Sequence, residues 1–539
     1  MLSHHGRTRA CRSLALIIAV LKCLSIMPAS SFSQYRFEHE GNAIPTMSPP
    51  HASNSSNTGE TGFAILESYA NVNGIFPGIT ATAASGPVRS ESGIGALMPW
   101  ADSLYMVSYL SNPHGGNGTG FYVIDKNLNM TKLENHQSTY ANRMIHPQSN
   151  TVIIGAWVIS TNGSYRTFES LLHVRVGGMA VHLTDPEHKV YMLGMDGPLW
   201  ECDVYDMNCT QLFDLVKELA IPTSSGEQVH FKAAHSMNGR LVVASNTEEE
   251  DDFLGTAHGG RLAEWQGPGH EWAILANTAF TEVTGRGNFG KVIYAVGWDA
   301  KSLILKTFVG DAKSGPVKQW LTYRLPKASH AYDHLWQTEW PRIREVETER
   351  YLMDGLGQFY ELSPLGWASA TWGIRPVCRH LRMIPDFASY RGFLVLGGNQ
   401  VSPIRDNNVV TGQAQSGLWF GKTDDLWRFG KPQGWGGVWR QDQVAANAIS
   451  DPFLMTGFDE KVLHITTHNT VHPQAFITIQ VDFLGTAGHV SGESWVNYTT
   501  VELPAKGYDY VAFPDGFSAH WVRLVSQYPA ILTAYFHYS

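Results

Sequence analysis

Thr139-Tyr140-Ala141-Asn142-Arg143-Met144-Ile145-His146, followed by Thr151-Val152-Ile153-Ile154-Gly155, is the stretch on which the fold of this 539-residue chain turns. The second run is short, apolar and rich in β-branched residues, and it closes on glycine, as a buried strand does. The first run carries an amide, a guanidinium and an imidazole into that strand pair within the segment Asn142–His146.

Runs of the same kind recur between turn signals from residue 62 to 448. Gly120–Ile124, Leu199–Val204, Arg240–Ala244, Gly260–Trp265, Ser302–Leu305, Gln358–Leu362 and Gly417–Phe420 share a pattern: glycine, a strand of period two, a polar turn. Their spacing of 40 to 60 residues is that of propeller blades. It predicts an all-β fold, a seven-bladed β-propeller over 62–448. No Trp-Asp dipeptide recurs; paired glycines at 177–178, 259–260, 397–398 and 436–437 are kelch-like but unevenly spaced. A β-sandwich or jelly roll is the rival. Longer alternating strands, Ala475–Phe483, Trp495–Thr499, Ala519–Leu524 and Ile531–Tyr538, predict a C-terminal antiparallel β-sandwich over 449–539. Gln211–Leu219 is the one amphipathic helical candidate.

Charged residues make up 16% of the chain, below the usual ~25%, and aromatics 12%, a balance that suits tight-turned sheets. A net charge of −9 argues against nucleic acid or an anionic membrane as partner, while leaving room for a local basic patch. Arg7, Arg9 and Arg12 precede the apolar run Leu14–Leu21 and small residues near Ala29, a pattern that predicts a signal peptide over 1–33. A Pro- and Ser-rich linker over 34–61 comes next, expected to be disordered. The expected product is a secreted monomer that leaves the membrane once the signal is cleaved. Export fits the sequons at Asn54, Asn117, Asn129, Asn162, Asn208 and Asn497. It also fits a local disulfide between Cys202 and Cys209, with Cys378 unpaired and buried. No cofactor is singled out; 23 histidines and the acidic run Glu248–Asp252 leave room for a structural divalent metal without fixing its ligands.

Elimination across a uronic acid needs a partner for the carboxylate and a base for the adjacent proton. Asn142 and Arg143 supply the first and His146 the second, since imidazole titrates near neutrality. The plainer alternative is a turn held by Arg143 above a core histidine. His330, Tyr332, Glu339 and Arg342 form a second constellation on a Pro- and Trp-containing loop, with a surface loop pinned by ion pairs as the alternative. His230, Lys232 and His235 form a third, with His230 and Lys232 on one strand face; His182 is a weaker fourth. Gly285–Gly290 matches a dinucleotide fingerprint in letters only, because strand-like Lys291–Val296 stands where a helix is required.

These motifs resemble secreted β-propeller polysaccharide lyases, of the kind that cleave ulvan or rhamnose–glucuronate linkages. The likeness rests on Asn142–His146 with Ile153-Ile154-Gly155, Leu183–Pro186 with Lys189–Tyr191, and Arg324–His330 with Glu339–Arg342. It implies an acidic polysaccharide substrate, His146, His330 and Tyr332 as proton-transfer groups, and Arg143 and Arg342 as carboxylate partners. A second histidine about twenty residues beyond the first is common in that group; Arg166 stands there instead. A propeller glycoside hydrolase is an alternative, with Glu339, Glu264, Glu282 and Asp354 competing as its two carboxylates. So is a non-catalytic carbohydrate-binding protein.

Overall fold

The computed structural model describes residues 74–78, 91–110, 120–136, 138–222, 229–246, 260–287, 291–310, 320–328, 341–347, 350–362, 366–367, 370–371, 373–380, 384–401, 417–487 and 494–539. The chain divides into two units, Met1–Ala64 and Ile65–Ser539, and every described residue lies in the second. The expected signal peptide and linker, Asn54, Asn117, Glu248–Asp252, His330, Tyr332 and Glu339 lie outside the described residues.

The architecture is all-β and of β-propeller type. Four-stranded antiparallel meanders succeed one another, with first strands Glu91–Trp100, Arg143–His146, Val176–Val181, Phe231–Met237, Ala279–Arg286, Arg342–Val346 and Phe387–Tyr390. These first strands neighbour one another in a closed cycle, so they line the centre. The last meander borrows its fourth strand from the start of the fold: Gly74–Gly78 pairs antiparallel with Gly417–Gly421. Asn399–Val401 pairs with Glu91–Gly93, tying the last meander to the first.

A recurring irregularity makes the centre tight. Register shifts fall at Gly95, Gly177, Lys232 and Thr281, near the start of four of the first strands. Such bulges bend the strand and re-aim the side chains beyond the bend. At Gly95 and Gly177 the space is taken by backbone: a Cβ would run into the carbonyls of Tyr140 and Phe231 on the neighbouring meander. Between meanders the apolar faces interdigitate. Trp157, 1% exposed, stacks on Phe121 at 4.5 Å between ring centroids, a pairing that contributes about 0.5–1.5 kcal/mol beyond area burial.

The chain leaves the ring earlier than 448. Gly434–Val444 already pairs with Ala530–Tyr538, in a sheet completed by Lys461–Thr470 and Gly507–Ala512. The boundary expected at 449 therefore falls one strand late. A second group of strands, Phe453–Leu454, Trp521–Ser526, Gln474–Asp482 and Val496–Pro504, continues the fifth meander. Its outer strand Trp320–Leu325 pairs in parallel with Phe453, giving one eight-stranded sheet. An apolar core including Leu463, Ile465, Ile477, Leu524 and Phe536 fills the space between the terminal strands.

Gln211–Leu219 is not a helix throughout. Cys209–Asp214 is the outer strand of the third meander, and only Leu215–Glu218 makes a helical turn; pairing with Pro198–Asp203 overrides the local amphipathic pattern. Cys202 and Cys209 face each other in that same pair and form a disulfide, while Cys378 is free and buried. Gly285 and Arg286 end one strand of a hairpin whose partner begins at Val292, so no helix starts at the fingerprint. Among the described residues no helix is long and apolar enough to cross a membrane.

Candidate functional site

A cavity of about 490 Å³ is lined by residues from every first strand, among them Met98, Arg143, Met179, His235, Glu282, Arg344 and Ser389. It therefore sits at the middle of the ring. Its lining mixes apolar side chains, from Met98, Pro99, Met144, Ile145, Met179, Val181 and Val283, with polar and charged ones. Its charged groups, drawn from several meanders, are organised.

Arg344 is the hub. Its Nη1 donates to Glu282 Oε2 at 2.6 Å, its Nε to Asp386 Oδ1 at 2.6 Å, and its Nη2 to Asn142 Oδ1 at 3.3 Å. Glu282 also accepts from the Val283 amide at 3.1 Å and from Asn142 Nδ2 at 3.4 Å. Asp386 accepts from the Leu97 amide at 2.7 Å. Arg342 lies 3.7 Å from Glu282 and donates to the carbonyls of Pro385 and Thr281. Arg143 lies 3.6 Å from Asp386 and donates through Nε to the Leu97 carbonyl at 2.8 Å. The side chains of Glu282, Asp386, Arg342 and Arg344 are at most 4% exposed.

Three guanidiniums thus meet two carboxylates, and the cluster carries one surplus positive charge. Burial pushes the Arg344 guanidinium toward neutrality, but Asp386 and Glu282 overcompensate and hold it above its ordinary value. Arg143 lacks that excess of partners: burial, then the neighbouring Arg344, lower it to about 10, so it remains charged at neutral pH. Its side chain is 19% exposed and lines the cavity, and its terminal nitrogens have no hydrogen-bond partner among the described residues.

His235 is the imidazole that lines this cavity. Burial lowers it to about 4, so it is neutral at pH 7, and its buried Nε2 has no hydrogen-bond partner among the described residues. Tyr351 lines the same wall; burial and then Glu345 raise its phenol, which stays protonated.

The other sites expected from sequence fall elsewhere. His146 closes its hairpin opposite Thr151, with a fully buried ring. Its Nδ1 meets Ser149 Oγ at 2.6 Å and its Nε2 the Pro186 carbonyl at 2.9 Å. It does not line the cavity, and both of its ring nitrogens are engaged. The cavity lining holds the imidazole of His235 rather than that of His146. Asn142 lines the cavity but is 7% exposed, at φ 95°, and is spent on Glu282 and Arg344. Arg342 is wholly buried behind the charged wall.

His230 and Lys232 do not share a cavity-facing surface. His230 precedes its strand and Lys232 occupies the bulge between Phe231 and Ala233, which breaks the alternation; both are buried away from the cavity. His182, directly after the first strand Val176–Val181, is held by Glu201 at 2.8 Å, and Arg166, on an outer strand, by the carbonyls of Val204 and Tyr205. Of the hydrolase candidates, Glu264 is committed to Arg240 and Trp320, and Asp354 to His380; Glu282 alone of the described ones reaches the cavity. Sequence reasoning misses Glu345, Tyr351 and Asp386 as site residues, and takes Arg344 only as the second guanidinium of the Arg342 constellation. The alternating Arg342-x-Arg344 on one strand is the available sign. Among the described residues no three His, Cys, Asp or Glu side chains gather as metal ligands.

Buried neutral histidines make the fold acid-sensitive. Burial lowers His136 to about 4, where it packs against Tyr140 and Trp157. A depressed imidazole stabilises the fold fully above its ordinary value near 6.5 and loses that contribution as pH falls toward 4. For His136 the loss amounts to ~3 kcal/mol. Denaturant midpoints between pH 7 and 4.5 are expected to fall more steeply for the natural chain than for His136→Gln. Equal slopes would show that His136 is already solvated.

No protein-family model matches the sequence, and no curated protein matches it. Solved structures similar to it include RRP9 WD40 repeats, at 10% identity over 65% of this chain and 96% of that chain, with a TM-score of 0.37. The Myceliophteria thermophila Cps50 (Swd1) β-propeller domain is 12% identical over 56% of this chain and 93% of that one, TM-score 0.33. The computationally designed Ika8 protein is 12% identical over 61% and 96%, TM-score 0.31. Matches this distant carry no functional weight.

Proposed function

We propose that this chain is an exported seven-bladed β-propeller with a C-terminal β-sandwich, and that its central cavity binds the carboxylate of a uronate-containing glycan. Arg143 carries the reading: a cavity-lining guanidinium with uncommitted terminal nitrogens, in a cluster with one surplus positive charge. A carboxylate at those nitrogens would form charge-assisted hydrogen bonds and neutralise the surplus. The apolar part of the lining, including Met98, Met179 and Val283, suits the carbon face of a sugar ring. Support for the architecture comes from the closed cycle of first strands and the borrowed fourth strand of the last meander. Support for export comes from the Cys202–Cys209 disulfide and from the exposure of Asn129, Asn162, Asn208 and Asn497.

Elimination by a polysaccharide lyase is the second reading, and His235 favours it. A neutral imidazole in the cavity lining accepts a proton beside a bound uronate once its Nε2, buried against Gly285, is uncovered, and the Tyr351 phenol returns one.

Titration of the full chain with an oligouronate and with its carboxyl-reduced, neutral counterpart tests the binding. The charged oligomer is expected to bind at least about tenfold tighter, an advantage that Arg143→Ala removes. Equal affinity for the two would overturn the reading. Release of ultraviolet-absorbing unsaturated product, lost in His235→Ala, would establish elimination; binding without product would leave a binding protein.

A further inference from the structure

A second, smaller cavity of about 240 Å³ lies against Lys126, Leu128, Arg391, Gly392, Phe393 and Lys422. The three cations are exposed, on three separate turns. Arg391 pairs with Asp102 at 3.7 Å across open surface, and Lys126 lies near Asp125, whose carboxylate is engaged by Asn127 and Asn129. Neither Lys126 nor Lys422 has an ion pair closer than 4 Å among the described residues. Three cations thus line one small notch, with Asp102, Asp125 and Asp425 beside them, on a chain of net charge −9.

Its place is fixed by the hairpins. Ser389 lines the central cavity and Arg391, two residues on, lines the notch. Their Cα atoms are therefore within roughly 7.6 Å. Pro99 lines the central cavity too, and its hairpin continues into Asp102, the partner of Arg391. The turn at Arg391 and Gly392 thus follows the strand that lines the central cavity, and the first meander's turn meets it through Asp102.

We infer that Lys126, Arg391 and Lys422 form a second anion subsite, and that the ligand is a linear polyuronate running from the central cavity past Ser389 to this notch. The inference rests on the uronate reading of the central cavity and adds a direction and a minimum length to the ligand. A monosaccharide, with one carboxylate, cannot span both sites. A chain with a carboxylate on each residue reaches the notch as well, where several exposed charges act together.

Equilibrium binding of the full chain to glucuronic acid and to a long linear polyglucuronate tests this, with the natural protein and a Lys126→Ser, Arg391→Asn, Lys422→Ser variant. Asparagine is chosen at 391 because the residue sits at φ 51°, which asparagine tolerates. The variant is expected to lose about tenfold in polymer affinity and to show a weaker salt dependence, with glucuronic acid binding unchanged. Unchanged polymer affinity and salt dependence, with glucuronic acid still bound, would overturn this inference alone. If neither ligand binds the natural protein, the reading of the central cavity fails, and this inference with it.

Discussion

Arg344→Ala is expected to destabilise the fold by about 3–5 kcal/mol, the cost of breaking a buried ion pair from one side. Glu282 and Asp386 are 1% and 0% exposed, and each loses a 2.6 Å charge-assisted hydrogen bond. What remains is weaker: the Val283 and Leu97 amides, Asn142, and Arg342 and Arg143 at 3.7 and 3.6 Å. Arg344→Lys should recover only part of the loss, because one ammonium cannot reproduce a planar fork that reaches two carboxylates and an amide. Adding Asp386→Asn to Arg344→Ala should restore some stability by removing one stranded charge. Chemical denaturation of the four proteins reads this directly. A loss below about 1 kcal/mol would be that of an exposed pair, contrary to a buried hub joining the second, fifth, sixth and seventh meanders.

Trp521→Ala is expected to cost about 3–5 kcal/mol as well, in the range for emptying a buried tryptophan site. Trp521 belongs by sequence to the terminal strands, yet it packs with Leu303, Tyr323, Leu325 and Tyr360 of the ring. Its ring lies 5.0 Å from that of Tyr323 and its Nε1 donates to the Gly485 carbonyl. Nearby, Arg324 grips Asp451 at 2.9 Å and Asp299 at 3.0 Å, adding a polar clamp at the same junction. The void should therefore loosen both the terminal sheet and the fifth and sixth meanders. Hydrogen exchange is expected to quicken in Leu303–Val309 and Trp320–Leu325 as well as in Trp521–Ser526. Faster exchange confined to the terminal strands would mean that they fold as an independent module.

Local signals in the sequence are easy to read. Gly120–Ile124 and Gln358–Leu362 are strands over the spans their alternation predicts, and Gly417–Gly421 extends its predicted run by one residue. Glycine, alternation and turn chemistry act over a few residues, so a few residues reveal them. The charged wall is not legible as a unit, because Glu282, Arg344 and Asp386 are separated by 62 and 42 residues and meet only through ring closure. His146 misleads for a related reason. Its spacing from Arg143 resembles a catalytic pair, but the strand ends there, and the Pro186 carbonyl, 40 residues on, takes up its Nε2. Lys232 shows the limit of period two: one inserted bulge residue ends the alternation on which a facing argument depends.

The most direct test is a crystal structure of the full chain soaked with glucuronate. Its carboxylate is expected within hydrogen-bond distance of the Arg143 terminal nitrogens. A saturated soak that leaves the central cavity without sugar, or seats it with the carboxylate turned away from Arg143, would contradict the account.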